Sequence, residues 1–341
     1  VDAILDKTLG VPLFQEQAMA LAVEAAGFTP GEADALRRAM AAWKRKTKDI
    51  HRMGTKLIAG MEANGYSRDF AERCFKQIQG FSEYGFPESH AASFALLVYI
   101  SSWLKRYYPA ALTAALLNSQ PMGFYAPSQL VRDAKEHGVV VRPVDVNHSG
   151  WDCTLEYDVF GRTGQPAIRL GLRMVKGLRE EHARQLALAV AQSGPFNSPE
   201  ALHYAACIPV RALRRVAAAD AMTSMGLDRQ QALWRVRSLR DDDLPLFEHL
   251  VEEARPKPDL PGVPLRKQMI HDYATTSLSL KAHPLEFLRG RLEEEGVLPA
   301  GLLRDDEATP KGRGIRVAGL VLSRQRPATA KGIVFVSIED E

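Results

Sequence analysis

The sequence predicts a mainly α-helical protein that carries a small β element and ends in strand-like segments. Apolar residues recur every three or four positions through most of residues 12–120, as they do along one face of an α-helix. Short strand-like segments follow at 139–141 (Val-Val-Val) and 168–170 (Ile-Arg-Leu), and longer ones follow residue 314. With 341 residues, 46% of them hydrophobic and 25% charged, the chain is long enough for two or three domains.

The helix that begins near residue 30 is the best specified. Thr29 is a suitable N-cap, Pro30 is tolerated in the first turn, and Glu32 is placed to complete a capping box. Residues 37–56 then hold eight lysines and arginines against one acid, Asp49, although the net charge of the chain is only +3. Such a concentration of cations indicates a polyanionic partner, or else a solvated basic helix face.

More helices follow in the first part of the chain. Two amphipathic ones are predicted, the first ending at Asn64 and the second capped by Ser67 and ending before Gly80. The segment 88–107 is apolar around most of its circumference, so we expect it to form a buried helix. Pro109 then marks a break.

Helices resume near Arg179, beyond the small β element, and three of them are predicted at 199–207, 210–219 and 228–240. The proline-bearing stretch 255–264 has the composition of a linker. A helical connector over 265–297 leads to a β-hairpin pattern at 314–338. We therefore predict four regions, with bounds at 1–138, 139–254, 255–311 and 312–341.

Composition argues against several classes of protein. Cys74, Cys153 and Cys207 are too far apart for a Cys-x-x-Cys metal site or a secreted disulfide framework. The longest apolar run, Ala91 to Ile100, is about half of a membrane span, and no signal peptide opens the chain. We expect a cytoplasmic protein with no membrane partner.

Four ordered motifs are the most specific feature of the sequence. They are Phe14-Gln-Glu-Gln-Ala-Met19, Ala33-Asp-Ala-Leu-Arg-Arg-Ala-Met40, Tyr84-Gly-Phe-Pro-Glu-Ser-His-Ala-Ala-Ser-Phe94 and Trp103-Leu-Lys-Arg-Tyr-Tyr-Pro109. Together they closely resemble the fingers region of the bacterial C-family DNA polymerases, the family of the DNA polymerase III alpha subunit. Phe86-Pro-Glu-Ser-His90 and Leu116-Leu-Asn-Ser-Gln-Pro-Met122 are more similar to its error-prone, damage-induced branch than to the main replicase. The resemblance runs from about residue 11 to the end and implies roles in DNA replication and DNA repair.

The resemblance implies that Arg37 and Arg38 bind the triphosphate of the incoming dNTP. Arginine suits this role because its planar guanidinium donates two parallel hydrogen bonds to phosphate oxygens. Lys44 and Lys46 would add weaker electrostatic support. Nucleotide binding is therefore one predicted function of this region.

Residues 84–94 resemble the lining of the nascent base-pair pocket. Here Pro87 and Glu88 stand where many replicative relatives carry Asn-Lys, and Phe94 stands where they often have Tyr. Loss of a cation and a hydroxyl fits a less selective enzyme. His90 is a candidate donor to phosphate or base, or else a hydrogen-bonded core histidine.

Residues 172–183 resemble the helix-hairpin-helix motif of the family. Gly177 lets the turn approach a DNA phosphate, Lys176 and Arg179 flank it, and the amides of the next helix attract the anion. Arg179 stands where many such hairpins have a second glycine. The motif predicts sequence-independent binding of a template-primer duplex, or else a plain helical turn. A degenerate second hairpin lies at about 220–226.

The segment 243–247 lies where the family carries a sliding-clamp peptide that usually begins with Gln. Leu246 and Phe247 would fill an apolar pocket, but Asp243 lacks the N–H donors of that amide. We expect a weak clamp contact, or only a linker with two apolar anchors. The complete enzyme would then depend on accessory mutagenesis proteins.

The terminal hairpin resembles the first strands of an OB-fold, with Arg324, Arg326 and Lys331 in its turn as candidate contacts to single-stranded DNA. Two strands do not complete the five-stranded barrel, so we expect an incomplete domain. The palm aspartates of the family have no counterpart, and 241–243 is interpreted as solvated charge. We therefore expect a fragment with no catalytic residue, metal or cofactor of its own, and Mg²⁺ in the full-length polymerase.

Two other classes of function remain open from the sequence. One is a non-catalytic DNA-repair adaptor that combines a helix-hairpin-helix with an OB module. The other is a purely structural helical scaffold, which would leave the cations at 37–56 without a partner.

Overall fold

A computed structural model describes residues 1–41, 47–81, 87–123, 125–162, 164–241, 260–304, 309, 312, 314–327 and 332–341, without the side chains of 39–41, 47–50 and 79–81. These residues form two compact units, Val1–Trp103 and Leu104–Glu341. The mainly helical fold class is confirmed, whereas the four-part division stays a prediction.

The first unit is helical. Its elements are α1 (Asp2–Leu5), α2 (Gln15–Glu24), α3 (Pro30–Ala41), α4 (Thr47–Ala63), α5 (Arg68–Phe81) and most of α6 (Glu88–Tyr107). Helices α2 to α5 bury one apolar face each, and these faces form a common core around Leu36, Leu57 and Ile78. Burial of such side chains contributes roughly 1.5–3 kcal/mol each and fixes α3 against its neighbours.

The predicted helix ends are observed where a capping interaction defines them. The Glu32 N–H donates to Thr29 Oγ1 at 3.4 Å and the Glu32 carboxylate accepts from the Thr29 N–H at 3.0 Å, so the capping box is present. The Phe70 N–H donates to Ser67 Oγ at 3.3 Å, which starts α5 as expected. Helix α5 continues through Gly80, however, instead of ending before it.

Helix α6 has the predicted bounds but not the predicted burial. All of its residues are described and none is buried, and Leu96, Val98 and Tyr99 are each at least 60% exposed. The expectation of a buried helix is therefore wrong. Apolar composition gives a helix a preference for burial, but burial also needs a surface on which to pack, and the described residues supply none here.

The second unit combines helices with three small sheets. Its helices are α7 (Pro109–Asn118), α8 (Pro127–Glu136), α9 (Glu180–Ser193), α10 (Pro199–Ala206), α11 (Val210–Ala218), α12 (Arg229–Arg237), α13 (Leu265–Thr276) and α14 (Arg289–Glu294). Its strands are β1 (Val141–Arg142), β2 (Thr154–Phe160), β3 (Pro166–Arg169), β4 (Val297–Leu298), β5 (Arg316–Val317), β6 (Leu320–Gln325) and β7 (Phe335–Glu339).

The first sheet has the order β1-β3-β2, and its middle strand β3 contributes to the larger core. Ile168 of β3 is opposite Val141 in a parallel pair and opposite Leu155 in an antiparallel pair. Ile168 is fully buried and packs in the same apolar cluster as Leu186 of α9 and Leu213 of α11. This cluster sets the positions of the turns that precede α9 and α12.

The terminal strands pair differently from a simple hairpin. Strands β6 and β7 are antiparallel, with Val321 opposite Ile338, whereas β5 forms a parallel pair with β4. The predicted strand 314–322 is thus divided between two sheets. Whether these strands begin an OB-fold stays a prediction. In the part of the chain that the structure describes, no helix combines the length and apolarity needed to cross a membrane.

Candidate functional site

The arginine pair on α3 is arranged around one carboxylate. Arg37 donates to Asp34 Oδ1 from Nε at 2.9 Å and from Nη2 at 2.8 Å, and Arg38 Nη2 lies 3.3 Å from Asp34 Oδ2. Residues three and four positions apart share a helix face, so Asp34 reaches both guanidinium groups. The two predicted triphosphate ligands are therefore brought together on one surface.

Within the described part of the chain, Asp34 is the carboxylate that contacts the pair, so most N–H donors of Arg37 and Arg38 are left for an anion. A guanidinium has five N–H groups, and Asp34 accepts two hydrogen bonds from Arg37. The hydrogen bond from Arg37, followed by the charges of Arg38 and Arg37, holds the pKa of Asp34 below its ordinary value. Asp34 is therefore ionised at neutral pH. It orients both arginines and also places a negative charge beside the surface predicted to bind phosphate.

Lys56, another cation of the basic segment 37–56, is bonded to the protein itself. Lys56 forms an ion pair with Glu32, and its ammonium lies 5.2 Å from the centroid of the Phe28 ring. That hydrogen bond from Lys56, with those from Thr29, lowers the pKa of Glu32 to about 2. Lys56 thus ties α4 to the start of α3. The predicted supporting residues Lys44 and Lys46 lie outside the described residues.

The segment predicted to line the base-pair pocket is described from Pro87 onward. The Glu88 N–H donates to Glu16 Oε2 at 2.9 Å, and Lys7 Nζ lies 2.5 Å from Glu88 Oε1. His90 and Phe94 are exposed, and their ring centroids are 4.3 Å apart. His90 is therefore not in the core, and its ring lies beside that of Phe94, one turn further along α6.

The predicted helix-hairpin-helix begins with a short 3-10 helix, Leu172–Met174, and continues into α9. Gly177 in the turn has a φ of +78°, which favours glycine, and Leu178 is buried beneath it. Arg179 is exposed and forms the N-cap of α9 without a side-chain capping bond. The hairpin thus presents Gly177 and Arg179 to solvent.

Lys176 has a structural contact that the sequence did not indicate. Its ammonium donates to the Tyr273 carbonyl and its backbone N–H donates to the Thr275 carbonyl, both at 2.8 Å. These carbonyls end α13, where a cation interacts favourably with the helix dipole. Lys176 therefore joins the hairpin to α13, and its charge is already directed at the protein.

Three exposed arginines on α11 were missed by the sequence interpretation. They are Arg211, Arg214 and Arg215, and the neighbouring residues Leu213 and Val216 on the opposite face are buried. A Cβ added to Gly177 would lie 3.5 Å from Arg215 Nε, so this guanidinium is beside the hairpin turn. The available signal was three arginines on the polar face of a strongly amphipathic helix.

Several residues with a predicted role in binding lie outside the residues that the structure describes. They are the clamp-peptide residues Asp243, Leu246 and Phe247, and Lys331 in the terminal turn. Among the described residues, no group of three or more His, Cys, Asp and Glu side chains is arranged as metal ligands would be. The expectation of Mg²⁺ concerns the full-length polymerase and stays a prediction.

Two family models match the chain. The bacterial DNA polymerase III alpha subunit finger domain matches residues 1–65, and the helix-hairpin-helix motif matches residues 138–232. The first match contains the Arg37–Arg38 pair. The second contains Gly177 and the α11 arginines.

Relatives named "Error-prone DNA polymerase" match nearly the whole chain. The protein of Sinorhizobium medicae is 53% identical over 99% of the chain, and that of Alkalilimnicola ehrlichii is 52% identical over all of it. The protein of Rhodopirellula baltica is 52% identical over 99% of the chain. The match covers 32%, 32% and 29% of these three relatives, so the chain spans about a third of their length. The recognised resemblance is confirmed, and the adaptor alternative gains no support. The chain belongs to the bacterial DNA polymerase III alpha family and is similar, from end to end, to its error-prone members.

Proposed function

We propose that this chain positions the incoming dNTP and the template-primer duplex in an error-prone DNA-directed DNA polymerase. The observation that carries the proposal is the match of essentially the whole chain to a third of each relative of that name. The complete enzyme would copy DNA during repair and after damage, in the cytoplasm. It would hold Mg²⁺ on carboxylates outside the residues discussed above, and those metals would activate the attacking and leaving oxygens.

In this proposal the triphosphate binds to Arg37 and Arg38. Their shared orientation by Asp34 and the number of N–H donors left over support this role, because a triphosphate needs several fixed cations. Lys44 and Lys46 would add attraction from the segment that follows α3. His90 and Phe94, whose rings are in contact on α6, would face the base or the phosphate.

The duplex would bind to the hairpin around Gly177 and Arg179. The match to a helix-hairpin-helix model supports DNA as the partner, and the Gly177 turn is exposed and has the Arg215 guanidinium beside it. Lys176 would position the turn through its bonds to the end of α13. Contacts of this kind hold DNA without reading its sequence.

Recruitment would depend on other proteins. Leu246 and Phe247 would contact a sliding clamp only weakly, because Asp243 replaces the usual amide donor. Accessory mutagenesis proteins would then bring the complete enzyme to DNA.

The nucleotide part of the proposal is tested by titrating the 341-residue chain with a dNTP. Replacing Arg37 or Arg38 by Ala should weaken binding by about tenfold or more, since hydrogen bonds between charged groups contribute about 1.5–3 kcal/mol. Arg73→Ala is a closely matched control. Arg73 lies 3.3 Å from Asp69 with a side chain 68% exposed, and Arg38 lies 3.3 Å from Asp34 with a side chain 67% exposed. Equal affinities for the parent and all three variants would contradict the assignment.

A further inference from the structure

The polar face of α11 is a row of arginines directed away from the core. Leu213, Val216 and Ala217 are buried and fix the rotation of the helix about its axis. Arg211, Arg214 and Arg215 are exposed. At 100° per residue these three positions fall within about 100° of arc, and four residues of helix span about 6 Å. The result is a compact surface with three positive charges.

Some exposed arginines of the second unit are paired with a glutamate one turn away on their own helix. Arg184 is paired with Glu180 at 2.6 Å, and Arg291 is paired with Glu295 at 3.0 Å. Among the residues that the structure describes, no carboxylate lies within ion-pair distance of the three α11 guanidinium groups. Their charge is therefore available to an external anion.

Arg215 connects this row to the hairpin. If Gly177 carried a Cβ, that atom would lie 3.5 Å from Nε and 3.6 Å from Cζ of Arg215. The guanidinium therefore lies against the one turn residue that has no side chain. A phosphate that approached the Gly177 backbone would meet Arg215 at the same time.

The hairpin needs this additional charge. Residues 176–181 contain two cations, Lys176 and Arg179, and two acids, Glu180 and Glu181. The Lys176 ammonium is bonded to the Tyr273 carbonyl, and the acids lie in the first turn of α9, where they oppose an approaching phosphate. The hairpin segment alone is thus electrically neutral, whereas affinity for DNA depends on neutralising phosphates.

We propose that Arg211, Arg214 and Arg215 bind backbone phosphates of duplex DNA and that Arg215 completes the phosphate site at Gly177. This inference rests on the proposed duplex-binding function and assigns most of its electrostatic attraction to α11 instead of to the hairpin. Arginine is suited to the role because its fork bonds two phosphate oxygens at once.

The test measures binding of the 341-residue chain to two duplexes of unrelated sequence at several salt concentrations. Arg215→Gln and Arg211→Gln should each weaken binding about fivefold to tenfold. Each should also reduce the slope of log K against log salt by about 0.9, the value for one phosphate contact. Arg215→Lys keeps the charge and should keep the slope. Arg291→Gln is the control, because it removes one paired and exposed charge.

The outcomes separate this inference from the function on which it rests. If Arg179→Gln weakens binding while Arg211→Gln and Arg215→Gln bind as the parent does, the hairpin binds DNA without α11 and the inference is wrong. If Arg291→Gln weakens binding as much as Arg215→Gln, the effect is one of net charge, which also overturns it. Failure of the parent chain to bind duplex would instead refute the proposed duplex-binding function.

Discussion

Asp34 lies between the two arginines that we assign to the triphosphate. It holds Arg37 through two hydrogen bonds and Arg38 through an ion pair, and it remains ionised because these cations lower its pKa. In the proposed complex, the same carboxylate would repel the triphosphate. Asp34 would therefore favour triphosphate binding by orienting the arginines and oppose it by its negative charge.

We predict that Asp34→Asn tightens dNTP binding by about twofold to fivefold at low salt, with the gain lost at high salt. The amide keeps an oxygen that accepts a hydrogen bond, while the exposed negative charge and its screened repulsion are removed. Nucleotide titrations at both salt concentrations measure the effect, with Asp69→Asn on α5 as the control. Weaker binding by Asp34→Asn would show that orientation of the arginines by the charged carboxylate outweighs the repulsion.

At the scale of elements, buried charges attach α13 to the neighbouring helices. Arg229 of α12 is paired with Asp272 of α13, and both side chains are at most one-tenth exposed. Lys281 lies 2.6 Å from Asp220 and 3.6 Å from Asp272, and Ser279 donates to Asp272 at 2.7 Å. This network joins the second hairpin to the connector that follows it.

We predict that Asp272→Ala destabilises the second unit by about 3 kcal/mol, the lower end of the range for breaking a buried ion pair. The buried Arg229 loses its hydrogen-bonded carboxylate and keeps only Asp220, 3.9 Å away, as an ionic partner. Urea unfolding followed by tryptophan fluorescence measures the change, since Trp151 and Trp234 both lie in this unit. Glu295→Ala breaks an exposed pair and should cost less than about 1 kcal/mol. A cost for Asp272→Ala as small as that of Glu295→Ala would show that the pair contributes little.

At the scale of the whole chain, cations for DNA are concentrated on a few surfaces of a nearly neutral molecule. If Arg179, Arg211, Arg214 and Arg215 each neutralise one phosphate, the slope of log K against log salt for duplex binding should be about −4. We expect this slope to be the same for unrelated sequences. We also expect no primer extension by the 341-residue chain at any Mg²⁺ concentration, since the metal-binding palm aspartates of the family have no counterpart in its sequence.

Binding and extension assays on the purified chain test this prediction. Primer extension that is abolished by replacing an acidic residue of the chain would contradict the expectation that the chain does not extend a primer. Duplex binding that does not weaken with salt would contradict the first, because phosphate contacts release counterions.

Features that depend on near neighbours along the chain were predictable from the sequence. The start of α3 follows from Thr29 and Glu32, three residues apart, and the start of α5 from Ser67 and Phe70. The adjacent cations Arg37 and Arg38, and the motifs that place the chain in its polymerase family, were equally readable. Such features are predictable because their interactions close within one turn of helix.

Contacts between groups far apart in the chain became visible only in the folded structure. Lys176 bonds the Tyr273 carbonyl 97 residues further on, and Arg215 lies beside Gly177, and the sequence indicated neither contact. Helix α6 remains exposed although its composition favours burial. The physical reason is the same in each case: composition and periodicity give a residue its preference for water, charge or apolar surface, whereas packing of the whole chain determines which partner is within reach.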